Sequence, residues 1–245
     1  MVVMRYSIRR RNNKSNKVTG AFPLLILLVF AAIHSYAFAV EKNGDPDPVK
    51  TKLSPREVFA NLKSQPLDIL PVSARLDMLD YWDADSIKKV SNALQGLSWL
   101  DTVGDSYLKV NVTSVSTFEI KILPAKHGEM VMTIYTIGDD VQAQDSQVDF
   151  YDGSLILLDT SKYLDMPVLK DYFDIPKGSI TDMKEIKGMI PFPTVKYSAS
   201  EDSNDLVSAL TVKEFVNQDD WNIIKLFIKP SITLEWKKDR YKFRK

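Results

Sequence analysis

The chain has 245 residues, with 32 Lys+Arg against 32 Asp+Glu, two His and no Cys. Hydrophobic residues make up 44% and charged residues 26%, ordinary for a globular protein, and nine Gly and twelve Pro are too few for a collagen-like or disordered chain. Without Cys there is no disulfide, thiolate nucleophile, Cys-ligated zinc, iron–sulfur cluster or lipidated cysteine.

The charge is unevenly placed. Residues 1–39 hold Arg5, Arg9, Arg10, Arg11, Lys14 and Lys17 and no acid, which leaves the remainder at a formal −6. A net acidic body argues against sequence-independent binding to nucleic acid. After the basic stretch comes the apolar run Ala21–Ile33, then Ala37-Phe38-Ala39, the small-x-small pattern of a signal peptidase site. We read 1–39 as a signal peptide, cleaved before Val40. The run is shorter than the roughly 18 residues of a spanning helix, so no membrane span is expected after cleavage. The competing reading is a retained anchor, because Tyr36 and Phe38 lengthen the apolar stretch. The expected location is outside the cytoplasm: periplasmic, cell-surface or secreted.

Residues 40–53 contain Asp45-Pro46-Asp47-Pro48, which can neither hold a helix nor pair as a strand, and read as a flexible tether. Ser54-Pro55-Arg56-Glu57 is a helix start, with Val58, Phe59 and Leu62 as its apolar face, ending before Pro66. A second helix starts near Ser73, with Leu76 and Leu79 inward. A third is expected over Ser86–Leu94, stopped by Gly96.

From Trp99 the hydrophobic period changes to two. Leu108, Val110 and Val112, then Phe118, Ile120 and Ile122, alternate with polar residues, as in half-exposed strands. Met130–Ile137 is apolar on both faces and belongs in the middle of a sheet. Val148, Phe150 and Leu155–Leu158 continue the pattern, and short connections imply antiparallel pairing. Residues 159–178 are irregular. A helix is expected at Ile180–Lys187, strands at Thr194–Ala199 and Val207–Phe215, and a helix opened by Asn217. A final hairpin spans Ser231–Trp236 and Arg240–Phe243.

The fold class is therefore α+β. N-terminal helices pack on an antiparallel sheet of about six to nine strands, in a single domain over 54–245 that could divide near 159–178. The order of helix then strands occurs twice and allows a duplicated helix-plus-sheet unit.

The runs Arg75-Leu76-Asp77-Met78-Leu79-Asp80-Tyr81, Asp105-Ser106-Tyr107-Leu108, Ser114–Pro124, Val148-Asp149-Phe150-Tyr151-Asp152 and Leu234-Glu235-Trp236 resemble the successive landmarks of a secreted Bacteroidales family catalogued as a domain of unknown function. The resemblance covers most of 54–243. It implies export from a Gram-negative bacterium and a single domain, and it carries over no functional residue. The long basic leader departs from the short leaders of that family.

The catalytic inventory is thin. His127 is the one His beyond the leader and sits in the turn Pro124–Gly128. No Gly-x-Ser-x-Gly elbow, His-Glu-x-x-His or Gly-rich phosphate loop occurs. Ser86-Ile87-Lys88-Lys89 matches Ser-x-x-Lys without the companion motifs of the penicillin-recognising enzymes. Asp77, Asp80, Asp83 and Asp85 cluster, yet lack the loop order of a calcium site, and local pairing with Arg75 or Lys88 is the simpler reading. No cofactor and no metal site is expected. The surface candidates are Asp77 and Asp80, together with Lys238, Arg240 and Tyr241 in the basic C-terminal hairpin, where lysines also deter edge pairing. The expected function is a non-enzymatic binding module for an envelope protein or glycan. The alternative is a glycan hydrolase that uses Asp77 and Asp80 as its carboxylates.

Overall fold

In a computed structural model, residues 52–139 and 143–244 are described. The expected leader and nearly all of the tether lie outside them. Among the described residues no helix is long and apolar enough to cross a membrane.

Helix α1 (Pro55–Asn61) begins where Pro55 supplies the dihedral of a first turn, and it buries Val58 and Phe59. Ser54 stands at the cap position, but its hydroxyl makes no capping bond. Helix α2 (Val72–Asp83) buries Arg75, Met78 and Leu79. Leu76, expected inward, is 46% exposed. Arg75 explains the difference. Its Nη1 donates to the carbonyls of Phe59 at 2.7 Å and Leu62 at 3.0 Å, at the end of α1. Those orphan carbonyls need a donor, and meeting them turns α2 about its axis.

The third helix expected over 86–94 is absent. Val90–Ser91 is instead a short strand, β1, paired with β2 (Leu97–Val103). Asn92 carries the turn between them. Its Oδ1 accepts from the amides of Leu94 and Gly96, and its Nδ2 donates to Ser98 Oγ and the Val112 carbonyl. An Asn that satisfies neighbouring backbone in this way competes directly with a helix.

The remaining strands of the first sheet are β3 (Tyr107–Thr113), β4 (Ser116–Ala125), β5 (Gly128–Ile137) and β6 (Asp145–Tyr151). All pair antiparallel in chain order, β1 to β6. The β2–β3 register shifts between Leu100 and Thr102, a bulge. Period two sorts the side chains between two faces. Leu100, Leu108, Val110, Phe118, Ile120 and Val131 join the core beneath α1 and α2. On the opposite face Leu123, Met130, Met132, Ile134, Val148 and Phe150 form the second core.

That second core is closed by a second sheet, where one sheet of six to nine strands was expected. It consists of β7 (Val195–Ala199), β8 (Leu206–Leu210), β9 (Ile232–Trp236) and β10 (Tyr241–Phe243), in the order β10-β9-β8-β7. The helices are not all N-terminal. Helix α3 (Met183–Met189) precedes β7, capped by Asp182 with Glu185 reaching back, and α4 (Gln218–Ile224) lies between β8 and β9, capped by Asn217. Leu164, Tyr172 and Phe173 from the irregular stretch fill the space between the sheets.

Two expected strand segments differ. Leu155–Leu158 is no full strand: after a turn at Gly153-Ser154, where the Asp152 carboxylate takes the amides of Ser154 and Ile156 and Leu155 sits at φ 61°, only an isolated antiparallel bridge from Leu157 to Tyr151 forms, with Ile156 and Leu157 exposed. The segment predicted over 207–215 ends as a strand at Leu210 and continues as a 3-10 turn at Lys213–Phe215.

Candidate functional site

The second sheet covers only the β4–β6 side of the first. The remainder of that face stays open and polar. A cleft of about 310 Å³ lies there, lined by Tyr107, Lys109 and Asn111 of β3, Thr117 and Glu119 of β4, and Lys196 and Ser198 of β7. Register builds it: Lys109 stands opposite Glu119, and Asn111 opposite Thr117. Side chains on paired strands are held in place by the ladder, so the lining is pre-organised.

Glu119 is the central group. It is 4% exposed. Its Oε2 accepts from the Tyr107 hydroxyl at 3.0 Å and from the Ala199 amide at 3.1 Å, while Oε1 takes no hydrogen bond among the described residues. Burial pushes the Glu119 carboxyl above its ordinary range; the two hydrogen bonds and the charges of Lys109 and Lys196 oppose the shift. Burial also pushes the Tyr107 hydroxyl up, and the Glu119 charge adds to it.

The raised Glu119 value carries a testable sign. The folded state holds this proton more tightly than the unfolded chain does. Stability contributed by Glu119 is therefore greatest below the ordinary value of 4.5 and falls as pH rises toward the folded value. In Glu119→Gln, which keeps an acceptor for Tyr107 and Ala199, this loss should vanish. Urea midpoints of variant and native protein should draw apart, in favour of the variant, as pH climbs from 4 to 8. Parallel profiles would refute the assignment.

Lys121 follows Glu119 on the same face of β4, outside the lining of the cleft. It is 2% exposed, and its Nζ donates to Ser106 Oγ at 3.0 Å and to the carbonyls of Ser200 at 2.8 Å and Glu201 at 3.1 Å. Burial lowers its pKa, with Glu201 and Asp202 acting the other way.

The residues singled out from sequence lie elsewhere. Asp77 and Asp80 are exposed on α2 and do not line the polar cleft. Their suggested partners are engaged otherwise: Arg75 by the α1 carbonyls, and Lys88 by the Tyr81 ring at 4.6 Å. The neighbouring Asp83 pairs with Arg56 at 2.5 Å. Tyr241, expected at the surface, is completely buried against Phe150 and Trp236, because its ring fills the core between the sheets. Arg240 pairs with Asp165, and Lys238 forms the exposed turn of the final hairpin with Asp239, both at positive φ. Arg244 pairs with Glu235 at 2.7 Å and Asp205 at 2.6 Å, and Lys237 with Glu235, so much of the basic cluster is locally neutralised. Among the described residues no group of three His, Asp or Glu side chains could hold a metal ion.

Sequence reasoning missed Tyr107, Lys109, Glu119 and Lys196. Their alternation was visible, but it was read as the wet half of each strand. The one further signal was a pair of charges, Glu119 and Lys121, in the strand that precedes the most apolar one.

A solved domain of an uncharacterized protein from Porphyromonas gingivalis W83 shares the fold. Its TM-score is 0.65 at 18% identity, over 77% of this chain and 96% of that one. Among curated proteins none matches. The sequence profile of one family extends over residues 53–241, from two residues before α1 into β10. The chain thus belongs to the family described as Protein of unknown function (DUF3256).

Proposed function

We propose that the protein is exported and works in the cell envelope as a binding module, holding a glycan in the cleft over β3 and β4. The observation that carries this reading is Glu119: a nearly inaccessible carboxyl with one oxygen fixed twice and the other taking no hydrogen bond among the described residues, set among amide, hydroxyl and ammonium groups on paired strands. A buried polar group with spare bonding capacity fits a polar ligand. Export is supported by the basic, apolar and Ala-x-Ala succession of residues 1–39. The expected hydrolase pair is less well supported, because Asp77 and Asp80 stand apart from this cleft.

The test has two readings on one preparation. Protein recovered from a periplasmic extract should begin at Val40; an intact leader would overturn cleavage in favour of a retained anchor, and absence of the protein from the envelope fractions would overturn the export reading. Soluble bacterial and plant glycans added to the labelled protein should shift backbone amide resonances of β3, β4 and β7. The double substitution Lys109→Ala, Lys196→Ala should weaken that binding by about tenfold or more. Resonance changes confined to other surfaces would overturn the cleft assignment.

A further inference from the structure

Resting on the cleft as the binding site, we propose that its ligand is a neutral linear oligosaccharide that runs from Glu119 across β3 to the indole of Trp99. Trp99 stands opposite Asn111 in the β2–β3 register, and Asn111 opposite Thr117 in β3–β4. These three form one row that crosses the strands on the polar face, and Glu119 stands beside it, two residues along β4 from Thr117. The Trp99 ring lines a second hollow of about 410 Å³, which shares Thr113 and Ser114 with the cleft. The two hollows thus adjoin at the β3–β4 turn. The Lys89 ammonium sits 4.4 Å from the indole centroid and steadies the ring.

This arrangement matches the two surfaces of a sugar. Hydroxyls at the rim pair with carboxyl, amide and ammonium groups, and the C–H face stacks on an aromatic ring. Within the cleft Tyr107 is buried with its hydroxyl spent on Glu119, so Trp99 supplies the stacking surface. Strand spacing and rise put Trp99 and Glu119 roughly 12 Å apart, more than one pyranose can bridge and within reach of a short chain. Charge argues for a neutral chain. Lys109 already faces Asp101 at 3.5 Å, Lys196 acts on Glu119, and the body beyond residue 39 is net acidic.

The test is titration calorimetry of the purified protein with two ladders: glucose and β-1,4-linked cello-oligosaccharides, and N-acetylglucosamine and chito-oligosaccharides. The ladders separate a plain from an N-acetylated source. One ladder should bind with affinity that rises about tenfold from the single sugar to the short chain, the equivalent of one stacking contact. Trp99→Ala should flatten that rise and Trp99→Phe should keep most of it. If the single sugar binds as well as the chain, or Trp99→Ala leaves the rise intact, the track to Trp99 is wrong while the cleft stands. If no member of either ladder binds, both are wrong.

Discussion

Replacing Phe150 by Ala should cost about 3–5 kcal/mol, a large share of the roughly 5–15 kcal/mol that holds a domain of this kind together. Phe150 is wholly buried, and three chain segments meet on it. Its ring centroid lies 5.5 Å from Tyr163, 6.2 Å from Trp236 in a stacked arrangement, and 6.3 Å from Tyr241. These rings come from β9, β10 and the irregular stretch, so the Phe150 side chain fastens the second sheet to the first. Rigid strands on both sides prevent collapse around the void, which places the cost toward the upper end. The denaturant midpoint should fall with its slope unchanged. Leu157→Ala, at an exposed position, should change stability by less than about 0.5 kcal/mol. Phe150→Leu keeps most of the volume and should lose less. A loss below about 1 kcal/mol for Phe150→Ala would show that the sheets are joined elsewhere.

Lys121→Met should cost about 1–3 kcal/mol and loosen one loop in particular. An ammonium has three N–H groups, and here each meets an oxygen: Ser106 Oγ and the carbonyls of Ser200 and Glu201. Methionine matches the length and removes all three donors. The two carbonyls belong to the connection between β7 and β8, which would have to open to water to regain its bonds. Amide exchange in residues 200–205 should accelerate more than exchange in β4 and β5. Uniform acceleration across the molecule would mean that Lys121 supports the sheet generally and does not act as the latch of that loop. Since Ala199 donates to Glu119 from the same strand end, the variant should also weaken ligand binding in the cleft.

The sheet pattern was legible in the sequence because one surface of each strand is apolar. Leu108, Val110 and Val112 fall together whatever lies beyond them, and Met130–Ile137 reads as central because it is apolar on both sides. Asp182 and Asn217 mark their helices for an equally local reason, a side-chain oxygen poised over free amides. The cleft was hidden because a period of two says that a face is polar, not what stands opposite it. Glu119 and Lys121 look like solvent-facing residues until Ala199, Ser200 and Glu201 are brought against them from about 80 residues away in the chain. The division into two sheets was hidden likewise: nothing local distinguishes a strand that extends one layer from a strand that founds another. Asn92 misled in the opposite sense, since a helical spacing of apolar residues was outweighed by a single amide bonding four partners.

The bulge in β2 bears on how copies of this protein behave when crowded. Strand β1 shields only Leu97 and Ser98, which leaves the rest of β2 as a sheet margin, and there the register breaks between Leu100 and Thr102 with Asp101 at the break. Of the other margins, β10 has Tyr163–Asp165 beside it, β6 has residues 156–158 along its end, and on β7 the amides of Val195, Tyr197 and Ala199 donate to side chains of the first sheet. A neighbour's backbone would find, among the described residues, a kinked and charged template in place of a straight one. That irregularity disfavours edge-to-edge pairing between crowded copies along β2.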